Sequence, residues 1–342
     1  MLIHRVHNKL GHIGMDCLIR TITPYYCAKN MYKMIKEIAK NCTVCIKNKT
    51  RIGKKFGLLG HLGPAVRPFQ IMSLDSVGGF GGRRSTKRYL HILVDHFTRY
   101  AYISTSRSQN TEDFIKLIQS TNSCDKIEIL LTDQFGGLTS DSFEEFLTGN
   151  NIIHILSAVD AAFSNGLKER LNQTIVNRIR CRINESTNSR AWTTIAKQCV
   201  EEYNKTIHSV TKFSPEYLLT GEENPLVPIE LEIKSDLASD RLKAYNNTLK
   251  NHEKNKEKYD KNKINLEFNV NDQVYVENGN KLNRHKLDEI RIGPFPIIKK
   301  LSRTMYRVAC GPLERDKRLF FHISKFALPD CYTNEDSENS DL

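Results

Sequence analysis

His7 and His12, with four residues between them, lie upstream of a Cys42-Thr-Val-Cys45 pair. The two-residue gap lets both thiolates reach one tetrahedral ion, and two His with two Cys close its coordination sphere. The spacing therefore predicts structural zinc (Zn2+) in a helical domain over residues 1–50. So short a segment, with few apolar side chains, holds its fold only with such a staple. His4 is an alternative to His7 as ligand, and both stay open. Cys17 and Cys27 read as core residues.

The glycine-rich and basic residues 50–63, among them Arg51, Lys54 and Lys55, read as a linker. Beyond them the periodicity changes. Phe69 to Leu74 reads as a strand leading to Asp75, followed by strands at Tyr89–Asp95 and Tyr100–Ile103. Gly78, Gly79, Gly81 and Gly82 suit a hairpin connection between the first two. A helix over Thr111–Ile118, a strand over Ile127–Leu131 ending at Asp133, a short helix over Ser142–Leu147 and a strand over Ile152–Ile155 follow. Residues 157–163 read as irregular. Leu167, Leu171, Ile175, Ile179 and Ile183 then recur at every fourth position of a helix. Glu169 lies about 200° around that helix from Leu167, so it faces away from the buried stripe and is free to face a cleft. Trp192, Ile195, Ala196, Cys199, Val200 and Tyr203 mark the buried face of another helix. The order β-β-β-α-β-α-β-α-α defines an α/β or α+β domain over 64–222.

Asp75, Asp133 and Glu169 are acids in a chain of formal charge +12 and pI near 9.2. The charge balance suits a polyanionic partner. Carboxylates that a fold brings together suit hard divalent ions such as Mg2+, and paired ions drive phosphoryl transfer. Residues 234–264 hold nine Lys or Arg and five Asp or Glu and read as a charged linker, either an extended helix or a disordered connector. Short strands at Gln273–Val276, Phe295–Ile298 and Met305–Val308 predict a small all-β barrel over 266–329. Residues 330–342, acidic throughout, read as a disordered tail. Nine cysteines, only Cys42 and Cys45 closely paired, do not make a secreted disulfide framework, so a reducing compartment is expected. No apolar run is long enough to cross a bilayer, and no membrane partner is expected.

Several stretches, in this order, resemble the integrase of gypsy-type long-terminal-repeat retrotransposons and, more distantly, retroviral integrases. His7-x4-His12-Ile-Gly14 with Cys42-x2-Cys45-x3-Lys49 is similar to that family's zinc-binding domain. Leu74-Asp75, Val94-Asp95-His-Phe-Thr-Arg99 and Leu131-Thr-Asp133-Gln134 resemble strands of its ribonuclease-H-like core. Ser164-Asn-Gly-Leu-Lys-Glu169-Arg-Leu-Asn172 is similar to its Ser-Asn-Gly-x-x-Glu-Arg-x-Asn helix start, and thirty-five residues separate Asp133 from Glu169. Tyr203-Asn204, His208, Thr211 and Ser214-Pro215 resemble the end of the core. Lys286-Leu287, Gly293-Pro-Phe295 and Phe321-His-Ile-Ser324 are similar to the family's C-terminal module. The chain departs from the pattern at Phe135, where the family usually has Gly, at Ala161-Ala162, where it has His-Pro, and at Phe69, where Trp is common.

The resemblance implies a multidomain α/β protein: a helical zinc-binding N-terminal domain, a ribonuclease-H-like catalytic core and a β-barrel that binds DNA. It makes Asp75, Asp133 and Glu169 the catalytic ligands of Mg2+ or Mn2+, and Asp95 structural. The implied reactions are 3′-end processing and strand transfer of element DNA into target DNA, both double-stranded, by a homo-oligomer. The implied compartment is the nucleus, reached through a cytoplasmic particle, and the chain would be one piece of a longer polyprotein. An inactive, domesticated DNA-binding descendant is the alternative. Lys168, Arg170, Asn172 and Arg178 flank Glu169, and Asn165-Gly166 suits a tight turn beside the cleft; Asn165, Lys168, Arg170 and Asn172 are expected to touch DNA. Lys281, Arg284, Lys286, Lys299, Lys300, Arg303 and Arg307 of the barrel are expected to hold phosphates without reading bases.

Overall fold

The computed structural model describes residues 2–49, 55–58, 63–80, 85–123, 126–156, 166–185, 190–222, 236–261, 263–278, 285, 287–309 and 320–328. The expectations for Arg51, Lys54, Gly81, Gly82, 157–163, Asn165, Lys281, Arg284, Lys286 and the acidic tail lie outside the described residues. The chain divides into two compact units, Met1–Leu58 with Asn262–Leu342, and Leu59–Lys261.

The first unit begins with four helices, α1 (Leu2–Lys9), α2 (Met15–Ile22), α3 (Met31–Asn41) and α4 (Thr43–Asn48). Their shared core is small: Ile3, Leu18, Ile22, Met31 and Ile35. At roughly 1.5–3 kcal/mol per buried side chain, five residues fall well short of the chain entropy of ordering such a segment, which leaves a large share to a metal staple. Cys17 and Cys27 are exposed, contrary to the core expectation. The buried stripe of α2 runs through Leu18 and Ile22, which turns Cys17 outward.

Part of the expected linker is ordered. Strand β1 (Lys55–Phe56) pairs in parallel with β7 (Lys263–Ile264). Phe56 is buried, its ring packed edge-on against Phe268. Gly57 has φ +89°, and a Cβ there would stand 2.1 Å from Ile323 Cγ2, so the position requires glycine.

The second unit is built on a five-stranded sheet of β2 (Ile71–Val77), β3 (Tyr89–Asp95), β4 (Ala101–Ser106), β5 (Ile129–Thr132) and β6 (Ile153–Leu156), in the order β4-β3-β2-β5-β6. β4, β3 and β2 are antiparallel, and β5 and β6 run parallel to β2. Helices α5 (Thr111–Gln119) and α6 (Asp141–Gly149) cover one face through Phe114, Leu117, Phe143 and Leu147, which pack on Met72, Leu74, Leu93 and Leu130. Helices α7 (Gly166–Asn184) and α8 (Trp192–Lys205) cover the other, where Leu171, Ile175, Ile179 and Trp192 meet Leu90, Ile92 and Val94. Period-2 alternation along β2 and β3 sorts these side chains between the two faces. Asn204 locks α8 to β4, accepting from Ala101 N at 2.9 Å and donating to Ala101 O at 3.0 Å.

Of the two readings of the charged segment, the helix is the one observed, and it lies within this unit. After α9 (Pro215–Thr220), α10 (Leu237–Asp260) packs on it through Leu237 and Ala244, with Thr248 buried one turn further on. Leu237, Ala244 and Thr248 stand at i, i+7 and i+11, one face of a helix that the charge count had hidden. Tyr217 donates its hydroxyl to Asp240 Oδ2 at 2.9 Å, and Arg241 donates to the carbonyls of Leu218 and Leu219 at the C-terminus of α9.

The chain then returns to the first unit with β8 (Gln273–Glu277), β9 (Arg291–Lys300), β10 (Met305–Val308), β11 (Phe320–His322) and β12 (Phe326–Ala327). They form one curled antiparallel sheet in the order β11-β10-β9-β8-β12, around the rings of Phe268, Tyr306 and Phe326. Arg291 donates to the carbonyls of Ile46 and Lys49, satisfying the C-terminus of α4.

Candidate metal centres

His7 lies in α1, His12 follows that helix, Cys42 precedes α4 and Cys45 stands in its first turn. The structure brings them together, one donor atom from each within 4.8 Å of the others. Cys42 Sγ is 3.3 Å from His12 Nδ1, Cys45 Sγ is 3.3 Å from His7 Nε2, and the two ring nitrogens are 3.2 Å apart. A tetrahedron with Zn–N and Zn–S bonds of ordinary length has edges of about 3.3–3.8 Å, so the donors fit that ion. His4 is exposed and stands beside Asn8 instead, which leaves His7 as the ligand. Burial, then neighbouring His12 and Lys49, hold the His7 imidazole below its usual pKa. Burial, then Cys42, pushes the Cys45 thiol up. Lys49 donates its ammonium to His12 O, fixing the loop that carries the second histidine.

The acids come from the second unit. The parallel register of β2 and β5 pairs Ile71 with Ile129, Met72 with Leu130 and Ser73 with Leu131. Continued past its last pair, this register sets Asp75 of β2 opposite Asp133, the residue just beyond the end of β5, on the face covered by α7. Neighbouring strands lie about 4.8 Å apart, so two like charges confront each other there. Asp75 is braced on both oxygens: Oδ1 accepts from Ser76 N at 2.9 Å and Oδ2 from Asn172 Nδ2 at 2.6 Å. Burial raises the pKa of Asp75 and the Asp133 charge raises it further, against the Lys168 ammonium. Glu169 is raised by burial first, then by Asp133 and Asp75, with Lys168 again opposing.

Lys168 departs from its expected DNA-facing role. It is 2% exposed, and its ammonium lies 2.6 Å from Asp133 Oδ1 and 3.9 Å from Asp75 Oδ1. Asn172 also turns inward, to Asp75, whereas Glu169 and Arg170 are exposed. The helical stripe contains the signal for Lys168. An i+4 repeat overshoots a full turn by about 40° per step, so the stripe drifts off the sheet at its ends. Leu167 and Ile183 are accordingly only partly buried. Lys168 lies seven residues before Ile175, within about 20° of it, and inherits the buried position.

The residues fit divalent cations by chemistry. The donors are carboxylates, a cation already neutralises two of them, and Asn172 Oδ1 is a buried acceptor without a hydrogen-bond donor. As the side chains stand, the three acids do not converge like the His2Cys2 set; that set alone, among the described residues, forms such a group. Asp95, nearby in sequence, is fully buried and accepts from Phe69 N, Phe97 N, Thr98 N and Thr98 Oγ1 at 2.6–3.3 Å, which makes it a structural brace.

The zinc-donor set and the helix-flanked mixed sheet both have counterparts among known proteins. The integrase zinc binding domain family matches residues 1–51. The Tf2-3 and Tf2-4 transposon polyproteins of Schizosaccharomyces pombe are each 26% identical over 347 residues, an alignment covering 94% of this chain and 25% of theirs. The chain thus spans about a quarter of the length of those relatives. A chain of the simian T-cell lymphotropic virus intasome in complex with PP2A regulatory subunit B56 gamma superposes with a TM-score of 0.58 at 14% identity, covering 95% of this chain and 97% of that one. The fold is accordingly a helical zinc-binding region, a ribonuclease-H-like core and a curled C-terminal sheet. The first 51 residues thus match an integrase zinc-binding family, and the chain as a whole is similar to these transposon polyproteins and shares the fold of that intasome chain.

Proposed function

We propose that this protein joins DNA by magnesium-dependent phosphoryl transfer, trimming the 3′ ends of element DNA and inserting them into target DNA. The observation that carries this reading is that Asp75 and Asp133 face one ammonium, that of Lys168, with Glu169 next to it on the helix that covers the same face. Asp75, Asp133 and Glu169 would hold the ions through their carboxylates. When bound, such ions activate an oxygen nucleophile and stabilise the leaving oxygen of an in-line displacement.

The chain's own residues supply geometry and charge. Asn172 and Ser76 fix the Asp75 carboxylate. Arg170, exposed beside Glu169, meets the DNA backbone. Lys299 and Arg303 are exposed on the barrel and add phosphate contacts, although Arg303 at 3.5 Å and Lys300 at 2.6 Å both pair with Glu267. Phosphate contacts make affinity fall steeply with salt. The natural setting is a homo-oligomer on double-stranded DNA in the nucleus. Among the described residues no helix is long and apolar enough to cross a membrane.

The test is strand transfer by the zinc-loaded chain with a duplex of the element end and Mg2+ or Mn2+. Joined product is expected from the wild type and none from Asp75→Asn, with duplex binding retained. Equal joining by the variant would remove Asp75 from the chemistry.

A further inference from the structure

Lys168 gives the acid cluster a cation of its own. Its side chain is buried, its ammonium is in contact with Asp133 and also faces Asp75, and the helix that carries it is anchored by Leu171, Ile175 and Ile179. The ammonium is therefore held from inside the packed core, while the Asp133 carboxylate it meets stays half-exposed at the mouth of the site.

We propose that Lys168 is a resident competitor for the divalent ion, so that metal enters between Asp75 and Asp133 only as the ammonium leaves. This rests on the reading of those two aspartates as metal ligands. A divalent cation needs the same inward oxygens that the ammonium holds, and two cations cannot share that space. Binding of one must weaken the other by the same factor. Lysine suits the task, since its charge sits on a flexible four-carbon stem that can withdraw while the backbone stays in place. The pairing has two consequences of opposite sign. Without metal, Lys168 relieves the repulsion between the two acids and holds α7 against β2. With metal present, the same contact raises the concentration needed to fill the site.

The experiment compares the full, zinc-loaded chain with Lys168→Met and Lys168→Gln, neither of which carries the charge. Free Mn2+ is followed by electron paramagnetic resonance, and melting is followed with and without Mn2+. Wild type should bind Mn2+, and Asp75→Asn should lose it. Both Lys168 variants should bind about tenfold more tightly, within the usual range of coupling between two ligands. Both should also melt below wild type in the absence of Mn2+, with the deficit closing as Mn2+ is added. Variants that fold only with Mn2+ present would support the proposal equally. Affinity equal to or weaker than wild type would overturn it, as would variants that stay unfolded in saturating Mn2+. If neither wild type nor the variants bind Mn2+, the ligand reading itself fails, and the competition fails with it.

Discussion

Asn172 donates its side-chain amide to Asp75 Oδ2 at 2.6 Å, joining the first turns of α7 to the middle strand of the core sheet. A hydrogen bond to a charged acceptor contributes more than a neutral one, about 1.5–3 kcal/mol, and the partial exposure of Asp75 reduces that. Asn172→Leu should therefore lower stability by about 1 kcal/mol. It should lower strand transfer by more than stability alone predicts, because the Asp75 carboxylate loses its orientation. Urea titration and a joining assay on the same preparation check the pair of effects.

Removal of zinc should unfold the four N-terminal helices and spare the core. The chain has one tryptophan, Trp192, which is 1% exposed in the core and stacked on Phe80. Chelation, or Cys45→Ser, should reduce far-ultraviolet helicity with little change in tryptophan emission. A concurrent red shift in emission would show that the core depends on the zinc domain.

Asp95 is fully buried and accepts four hydrogen bonds from the turn that follows β3 and from Phe69 N. Asn in its place would turn an amide donor towards other donors. Asp95→Asn should cost about 2–4 kcal/mol, the range for breaking a buried charge-assisted network. Denaturant midpoints of variant and wild type measure it, and a difference below the scatter of the fit would contradict the assigned role.

Acid should destabilise the fold through its buried imidazoles. Burial holds His322 and His208 at about 4 and His96 at about 3, against 6.5 for the free side chain. The unfolded chain then binds protons that the folded one refuses. The stability is fully present above 6.5 and is lost as pH falls from 6.5 towards 4. Urea midpoints should be flat above that range and fall within it, less steeply in His322→Gln. Midpoints that rise on acidification would reverse the sign.

The zinc donors were legible because their spacing is local: two histidines around the end of one helix and a Cys-x-x-Cys at the start of another. Strand β3 has the bounds its alternation predicts, Tyr89–Asp95, and the Leu171–Ile175–Ile179 stripe is buried as its period requires. Charge count left α10 open between an extended helix and a disordered connector, and the Leu237, Ala244 and Thr248 face that packs it was not read.

By itself the sequence determined the His2Cys2 donor set, which segments alternate as strands and which face of α7 is apolar, since each is a property of neighbours along the chain. Only the tertiary structure decided that Asp75 and Asp133 come to face one ammonium, that of Lys168. Register between strands far apart in sequence is set by the packing of both sheet faces at once. One residue of slip would send either carboxylate to the opposite face.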